Sequence, residues 1–236
     1  MLNKKILLIV PAFNEEKNIG EVYNRVKQFD IDIIIINDGS TDQTKTICEQ
    51  QKIPHINSIS NLGIGGAVQM GYKYASLNNY DIAVQFDGDG QHNILDLEEL
   101  IKPIVLNKAD FVIGSRFIKS DQEGFKSTAA RRLGIRIITK LIHLRTKQKV
   151  SDPTSGYRAA NKKIIDIFAN FYPTEYPEPE SLTYLLLEGY RINETPVTMN
   201  ERINGKSSIH SWKNAYYMLN VCLSILLVKT FKREGK

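Results

Sequence analysis

Short β-branched runs alternate with helical patterns along the first half of this chain, and this alternation limits the possible folds more than any other feature. Each run is long enough for one strand, and the stretches between carry apolar residues at three- and four-residue spacing. The pattern predicts an α/β fold with a mostly parallel sheet and helices on both faces. The predicted strands are 5–10, 32–37, 55–60, 81–87 and 110–115, with helices at about 15–28, 41–52, 65–79 and 94–107.

The second half of the chain follows a different pattern, in which helical stretches dominate. The predicted elements are a long basic helix at 128–147, a helix near 161–170, a helix that ends near 189 and a strand near 191–200. The last of the apolar segments, 214–228, carries no charge, but it is shorter than the roughly 20 apolar residues that span a bilayer. We expect an amphipathic helix there that lies at a membrane interface or docks on the core. The predicted domain is 1–210, followed by this C-terminal helix region at 211–236.

Composition places the chain among folded intracellular proteins. Its 236 residues, 42% of them hydrophobic, are enough to bury a full core. Cys48 and Cys222 are isolated thiols in different regions, which is typical of a reducing compartment. The apolar run near the N-terminus has the length of a strand and no small-residue cleavage site, so we interpret it as the first strand and expect a cytoplasmic protein.

Two aspartates, Asp87 and Asp89, follow the fourth predicted strand, and glycines stand between and after them. Ligands of parallel sheets bind at the carboxyl ends of the strands. Gly88 makes a turn sterically easy there, and in a turn both carboxylates can converge on one hard divalent cation such as Mg²⁺ or Mn²⁺. The alternative is a turn that only caps the next helix.

A second polar cluster, containing Asp38, Ser40 and Asp42, follows the second predicted strand. A carboxylate there can accept hydrogen bonds from a ribose or from the N–H of a base. Ser40 or Thr41 can instead cap the helix expected from about residue 41, but capping does not account for Asp38.

The glycine-rich stretch 61–67 follows the third predicted strand. It is either a tight turn or a place where backbone N–H groups approach a phosphate. Its glycine order does not match the dinucleotide-binding fingerprint, which normally follows the first strand. A nicotinamide-dependent enzyme is therefore disfavoured.

Seven motifs in a fixed order carry a family resemblance: PAFNEE, NDGSTD, NLGIGGA, FDGDGQH, GSRF, SDPTSGYRA and ERINGKSS. The set resembles the family-2 glycosyltransferases of GT-A fold, in particular the branch like dolichol-phosphate-mannose and polyprenyl-phosphate-glucose synthases, over about residues 5–210. The resemblance implies a Rossmann-like, mostly parallel sheet. It also implies transfer of a sugar from a nucleotide sugar, with a UDP-sugar favoured over a GDP-sugar and with inversion at the anomeric carbon.

The resemblance also implies roles for individual residues. The nucleotide would be held by Pro11, Phe13, Glu15, Asp38, Asp87 and Gly88. The divalent metal and the diphosphate would be held by Asp87, Asp89 and Gln91, with phosphate contacts from Arg116 and Arg202. The departing diphosphate needs cationic help in the transition state, which suits these groups. A loop with Lys206 and Ser207 is expected to close over the diphosphate, unless it is an ordinary solvated turn.

The acceptor decides whether the enzyme needs a general base. A hydroxyl acceptor must lose a proton as it attacks, whereas a lipid phosphate is already an anionic nucleophile. Glu178 or Glu180 stands near where a base would be expected, although the surrounding sequence is unlike the usual acid-pair motif of hydroxyl-directed relatives. The alternative is that both are surface charges at the start of a helix, where acidic residues favour the helix dipole.

The basic segment 124–151 bears on the same choice, because it holds eight Lys or Arg and no Asp or Glu. Arg131 and Arg132 are candidates to bind a polyprenyl phosphate, and the helix as a whole can bind an anionic membrane surface. The alternative is a solvated helix face. With the charge-free segment 214–228, this favours a polyprenyl-phosphate acceptor in cell-envelope glycan synthesis. It also favours attachment to the inner face of the membrane, directly or through a small membrane protein.

Three other functions remain open from the sequence. The first is a transferase that adds a sugar to a saccharide hydroxyl during polysaccharide assembly. The second is a sugar nucleotidyltransferase, although its glycine-rich loop should follow the first strand, where PAFNEE stands instead. The third is a non-catalytic nucleotide-binding module, which the presence of the aspartate pair disfavours.

Overall fold

The computed structural model describes residues 4–118, 129–198 and 211–228, with side chains of the helical segments given from residues 132 and 218 onward. The strands are β1 (Ile6–Ala12), β2 (Asp32–Asn37), β3 (His55–Asn57), β4 (Ile82–Gln85), β5 (Phe111–Ser115), β6 (Arg158–Asn161) and β7 (Ile192–Pro196). The helices are α1 (Ile19–Val26), α2 (Thr44–Gln50), α3 (Gly63–Leu77), α4 (Leu97–Val105), α5 (Ala129–Thr146), α6 (Lys162–Asn170), α7 (Pro177–Leu187) and α8 (Ser211–Leu227).

The seven strands form one sheet in the order β3-β2-β1-β4-β6-β5-β7. β1 is parallel to β2 and β4, β2 is parallel to β3, and β5 is parallel to β7. β6 is antiparallel to both of its neighbours, β4 and β5. The predicted α/β fold with a mostly parallel sheet is confirmed, whereas the reversed strand β6 was not predicted.

Helices cover both faces of the sheet, and the alternating side chains of β1 divide between two cores. Leu7 and Ile9 point to the face covered by α3, α5, α6, α7 and α8. Leu8 and Val10 point to the face covered by α1, α2 and α4. All four side chains are fully buried, and each contributes about 1.5–3 kcal/mol by leaving water. Burial on both faces explains why this strand is a continuous apolar run.

The direction of β6 decides which loops meet at one edge of the sheet. The carboxyl ends of β1, β2, β4 and β5 lie at this edge, and so does the amino end of β6, because it runs the opposite way. Arg158 at the start of β6 pairs with Gln85 at the end of β4. The loop that enters β6 is therefore placed beside the loop that leaves β4.

The predicted basic and charge-free helices are confirmed as α5 and α8, and they pack against each other. Met218 lies over Gly134, and the guanidinium of Arg145 donates hydrogen bonds to the carbonyls of Leu226 and Val228 near the end of α8. Inner residues of α8, such as Val221, join the core that α3 and α6 share. Among the residues that the structure describes, no helix is long and apolar enough to cross a membrane.

Candidate functional site

The loops that leave β1 and β2 are locked together at the carboxyl edge of the sheet. The N–H of Asn14 donates to Oγ of Ser40 at 2.9 Å, and its side-chain Oδ1 accepts from the N–H of Thr41 at 2.9 Å. Neither Ser40 nor Thr41 caps α2, so this alternative does not hold for the two residues. α2 begins at Thr44, whose N–H and hydroxyl both donate to the Asp42 carboxylate. The Ser40 hydroxyl is instead bonded to Asn14.

The residues predicted to hold the nucleoside lie around this locked pair of loops. Pro11 is buried in β1, whereas the Phe13 ring beyond the strand is 47% exposed. Glu15 is half-buried and accepts a hydrogen bond of 2.7 Å from the amide of Asn18. Asp38 is 3% exposed, and its Oδ1 accepts from the N–H of Leu62 at 2.8 Å. Asp38 therefore also ties the glycine-rich stretch before α3 to the end of β2.

The Asp87 carboxylate is held from two sides. Its Oδ2 lies 2.9 Å from Nε2 of the buried His92. A β-carbon on Gly156 would lie 2.6 and 2.7 Å from its two oxygens, so a side chain there would have to displace the carboxylate. Burial raises the pKa of the Asp87 carboxyl, but His92 and the charges of Arg116 and Arg158 outweigh it and hold that pKa below its usual range. The group is therefore an anion aimed into the site.

The turn between the two aspartates is tight for a steric reason. A β-carbon on Gly88 would lie 2.9 Å from the carbonyl oxygen of Pro11, so the turn passes directly over the end of β1. Asp89 is half-buried, and its Oδ1 accepts from the N–H of Gln91 at 3.0 Å. Gly88 thus brings the aspartate pair against the loops at the end of β1.

Arg116 follows β5 directly and forms a buried ion pair. Its Nε and one terminal nitrogen donate to the two oxygens of Asp152, each at 2.6 Å, and the same terminal nitrogen reaches Thr154 Oγ1 at 2.9 Å. The side chains of Arg116 and Asp152 are 5% and 0% exposed. The predicted phosphate-binding arginine is therefore also the residue that anchors the loop before β6.

A second arginine, Arg158, joins that loop to α7. It is fully buried, and it donates to the carbonyls of Pro153 and Ser155 and to the carbonyl of Glu178 at 2.8 Å. Burial raises the pKa of Glu178, and the charge of Arg158 only partly counters this shift. Burial and the neighbouring Glu175 likewise raise the pKa of Glu180. The charge of Asp87 also raises the pKa of the partly buried Glu178 carboxyl.

The structure describes only some of the remaining predicted site residues. Arg202, Lys206 and Ser207 lie outside the described residues, and the side chain of Arg131 does too. Arg132 is exposed on α5 and lines a groove of about 660 Å³. The other groove residues are Phe117, Ile135, Arg136, Thr139, Lys140, His143, Lys149, Val150, Ser151 and Glu194.

The aspartate pair suits a hard divalent cation, although it cannot enclose one. Within the described ranges, no three His, Cys, Asp or Glu side chains cluster closely enough to form a metal site. Mg²⁺ is commonly held by one or two carboxylates and completed by substrate phosphates and water. Asp87 and Asp89, with Gln91 beside them, fit that partial ligand set.

Comparison with known proteins settles the family. Residues 7–168 match the model of "Glycosyl transferase family 2". The chain belongs to glycosyl transferase family 2. Its predicted identity as a glycosyltransferase is thereby confirmed, and the nucleotidyltransferase and non-catalytic alternatives are set aside.

Two relatives within this family are named for lipid acceptors. One is a UDP-N-acetylglucosamine–dolichyl-phosphate N-acetylglucosaminyltransferase of Methanococcus voltae, 32% identical over 84% of this chain and 86% of the relative. The other is a polyprenol monophosphomannose synthase of Mycolicibacterium smegmatis, 26% identical over 87% of this chain and 81% of the relative.

The solved structure of a glucosyl-3-phosphoglycerate synthase from Mycobacterium tuberculosis shares the fold. In its complex with Mn²⁺, UDP-glucose and phosphoglyceric acid, it superposes with a TM-score of 0.68 at 17% identity, over 97% of this chain and 82% of that one. The GT-A architecture of this family 2 glycosyltransferase is confirmed.

Three residues of the site were missed by sequence reasoning, although each lies in a quoted motif. His92 ends FDGDGQH, and Gly156 and Arg158 lie in SDPTSGYRA. His92 reaches Asp87 within the loop after β4, whereas the contacts of Gly156 and Arg158 depend on β6 lying beside β4. Continuing the strand register beyond Gln85 and Arg158 brings Gly156 opposite Asp87, and no local pattern shows this.

Proposed function

We propose that this enzyme transfers a sugar, with inversion, from a UDP-sugar to a polyprenyl phosphate, in a metal-dependent reaction of cell-envelope glycan synthesis. The observation that carries the proposal is the groove beside the site. Its floor includes Ile135 and Val150, and five basic side chains lie along it: Arg132, Arg136, Lys140, His143 and Lys149. An apolar floor with a cationic rim suits a lipid that ends in a phosphate. The name of the Methanococcus relative supports both substrates.

The donor would bind at the carboxyl edge of the sheet. The nucleoside would lie against Pro11, Phe13, Glu15 and Asp38, where an exposed ring and two carboxylates stand together. The diphosphate would reach Asp87, Asp89 and Gln91, which would hold Mg²⁺ or Mn²⁺. That cation would neutralise charge on the departing diphosphate. The complex of the mycobacterial synthase with Mn²⁺ and UDP-glucose supports this assignment.

Cationic side chains would assist departure of the nucleotide. Arg116 stands near enough for its charge to lower the pKa of Asp87. We assign Arg116 and Arg202 to the phosphates, and Lys206 and Ser207 to a loop that closes over them. Positive charge fixed before the reaction stabilises a developing anion without reorganisation.

The acceptor would enter along the groove, which reaches Ser151 next to the Arg116–Asp152 pair. Arg131 and Arg132, at the start of α5, would hold its phosphate. This nucleophile is already an anion, so no general base is required.

A saccharide hydroxyl is the second candidate acceptor, and Glu178 is the observation that favours it. A carboxyl whose pKa burial has raised can take a proton from an attacking hydroxyl near neutral pH. Glu180, with a pKa raised in the same direction, is the other candidate base.

One assay tests the proposed function and separates these acceptors. Purified protein with Mn²⁺ is supplied with UDP- or GDP-sugars, with or without undecaprenyl phosphate, and the products are identified by mass. We expect a glycosylated lipid phosphate with a UDP-sugar. Glu178→Gln should change that rate by less than about tenfold, because the phosphate brings no proton to remove. Transfer to a sugar hydroxyl that Glu178→Gln or Glu180→Gln abolishes would refute the lipid acceptor.

The outer face of α5 and α8 would contact the membrane. We propose residues 211–236 as the attachment region and 1–210 as the catalytic domain. Among the described side chains of α8, from residue 218 onward, the exposed ones form a leucine stripe: Leu219, Leu223, Leu226 and Leu227. On α5, exposed Leu133 and Ile137 lie next to the basic residues of the groove. Apolar side chains flanked by cations bind anionic interfaces.

Replacing Leu219 and Leu223 together with serine should weaken binding to vesicles that contain phosphatidylglycerol by about tenfold or more, because two leucines lose their burial in lipid. Cosedimentation measures this, and added salt should weaken the binding of the unchanged protein. Leu77→Ser with Leu106→Ser is the matched control, since these leucines are also exposed but end α3 and α4. Equal losses in both pairs would contradict the assignment.

A further inference from the structure

Two residues that are not predicted metal ligands, His92 and Gly156, lie on either side of the Asp87 carboxylate. On one side, Nε2 of His92 lies 2.9 Å from Oδ2. On the other side is Gly156, which has no side chain. Both oxygens occupy the space that a side chain would fill, because a β-carbon there would lie 2.6 and 2.7 Å from them. The carboxylate is therefore in contact with His92 on one side and occupies space that any side chain at position 156 would take.

The His92 ring is fixed in place by aromatic neighbours. It is 4% exposed, with ring centroids 5.7 Å from Phe86 and 4.9 Å from Tyr157. Its Nδ1 is buried and has no hydrogen-bond partner among the residues that the structure describes. An ionised carboxylate only accepts hydrogen bonds, so Nε2 carries the hydrogen and donates it to Asp87. The packed ring can present that N–H in one direction only.

We propose that His92 and Gly156 are positioning residues that fix the Asp87 carboxylate for the divalent cation of the donor site. The inference rests on the proposed function for the cation itself. One oxygen of Asp87 is oriented by the histidine N–H, and the glycine gives both oxygens room. Outer hydrogen bonds of this kind set the direction of a ligand, and losing one typically weakens metal binding by about 10- to 100-fold.

Two substitutions of His92 separate positioning from packing. His92→Phe keeps an aromatic ring between Phe86 and Tyr157 but removes the N–H donor. His92→Gln removes the ring but places an amide N–H at a comparable reach. If the hydrogen bond orients Asp87, the phenylalanine variant loses Mn²⁺ affinity and the glutamine variant retains most of it. If the ring serves only as packing, the order is reversed.

Gly156→Ala tests the other side of the Asp87 carboxylate. The added methyl group would displace the Asp87 carboxylate, so Mn²⁺ binding should weaken while the fold is kept. Gly20→Ala is the matched control, because the new methyl group would meet only the flexible end of Gln51, at 3.1 Å. Thermal unfolding of each variant verifies that it folds.

The measurement is Mn²⁺ binding in the presence of UDP, followed by the electron paramagnetic resonance signal of free Mn²⁺. We expect about 10- to 100-fold weaker binding for His92→Phe and Gly156→Ala, with near-normal binding for His92→Gln and Gly20→Ala. Unchanged affinity in folded His92→Phe, or a loss in His92→Gln as large as in His92→Phe, would overturn the role of His92. Unchanged affinity in Gly156→Ala would overturn that of Gly156. An unchanged protein that binds no Mn²⁺ would overturn the metal assignment as well.

Discussion

Asp89→Ala should reduce sugar transfer by about a thousand-fold while leaving the protein folded, an effect as large as losing a principal stabiliser of transition-state charge. Asp89 lies on the turn after β4, half-buried, and its Oδ1 accepts a hydrogen bond from the N–H of Gln91. Its removal would halve the carboxylate charge that the aspartate pair offers to the cation. Initial rates with saturating Mn²⁺ and donor measure the loss.

A matched control exists at the opposite end of the same strand. Asp81 precedes β4 and accepts a hydrogen bond from the N–H of Lys5 at 2.9 Å, far from the carboxyl edge. Asp81→Ala removes the same charge and should keep nearly full activity. Chelation of divalent cations should abolish transfer by the unchanged enzyme. A transfer rate that survives a chelator would show that the aspartate pair does not act through a metal.

Arg116→Ala should lower the free energy of unfolding by about 3–5 kcal/mol, the typical result of removing one partner from a buried ion pair. The carboxylate of Asp152 is fully buried and would be left without its paired guanidinium. Urea unfolding followed by circular dichroism measures the change. Activity should fall as well, since Arg116 is assigned to the donor phosphates.

The Arg191–Asp110 pair is the control for this prediction. It also has an arginine nitrogen 2.9 Å from a carboxylate oxygen, but its arginine side chain is 50% exposed. Exposed pairs contribute little, so Arg191→Ala should destabilise the protein much less. Combining Arg116→Ala with Asp152→Ala should recover part of the lost stability, because no buried charge then remains unpaired. Equal losses in the two arginine variants would contradict this account of burial.

The parallel part of the sheet could be predicted from the sequence because its strands are buried on both faces. The run of isoleucines in β2 leaves few alternatives to a buried strand. β6 was not predicted, because it has only four residues and begins with Arg158. An arginine is seldom fully buried, and this one becomes so only because loop and helix carbonyls surround it.

Less of the candidate site could be predicted. The parallel strand ends predicted that three aspartates would lie at one edge of the sheet: Asp38, Asp87 and Asp89. The structure places them there. Their roles remain predictions. The space at Gly156 beside Asp87 depends on how two distant segments pack, whereas His92 reaches Asp87 from five residues away in the same loop. The alternative of a helix cap at Ser40 does not hold, because α2 begins later and the Ser40 hydroxyl accepts from the N–H of Asn14 in another loop.

The reversed strand β6 also governs the order in which the chain can fold. β4 and β5 are not neighbours, and β6 stands between them. β1 to β4 can pair as soon as they are synthesised, but β5 has no partner until β6 or β7 emerges from the ribosome. Unpaired strand edges invite association with other chains, and closure over long loops is slow. Four residues, Arg158–Asn161, thus join the two halves of the sheet, and nascent chains that stop short of them expose the edges most open to aggregation.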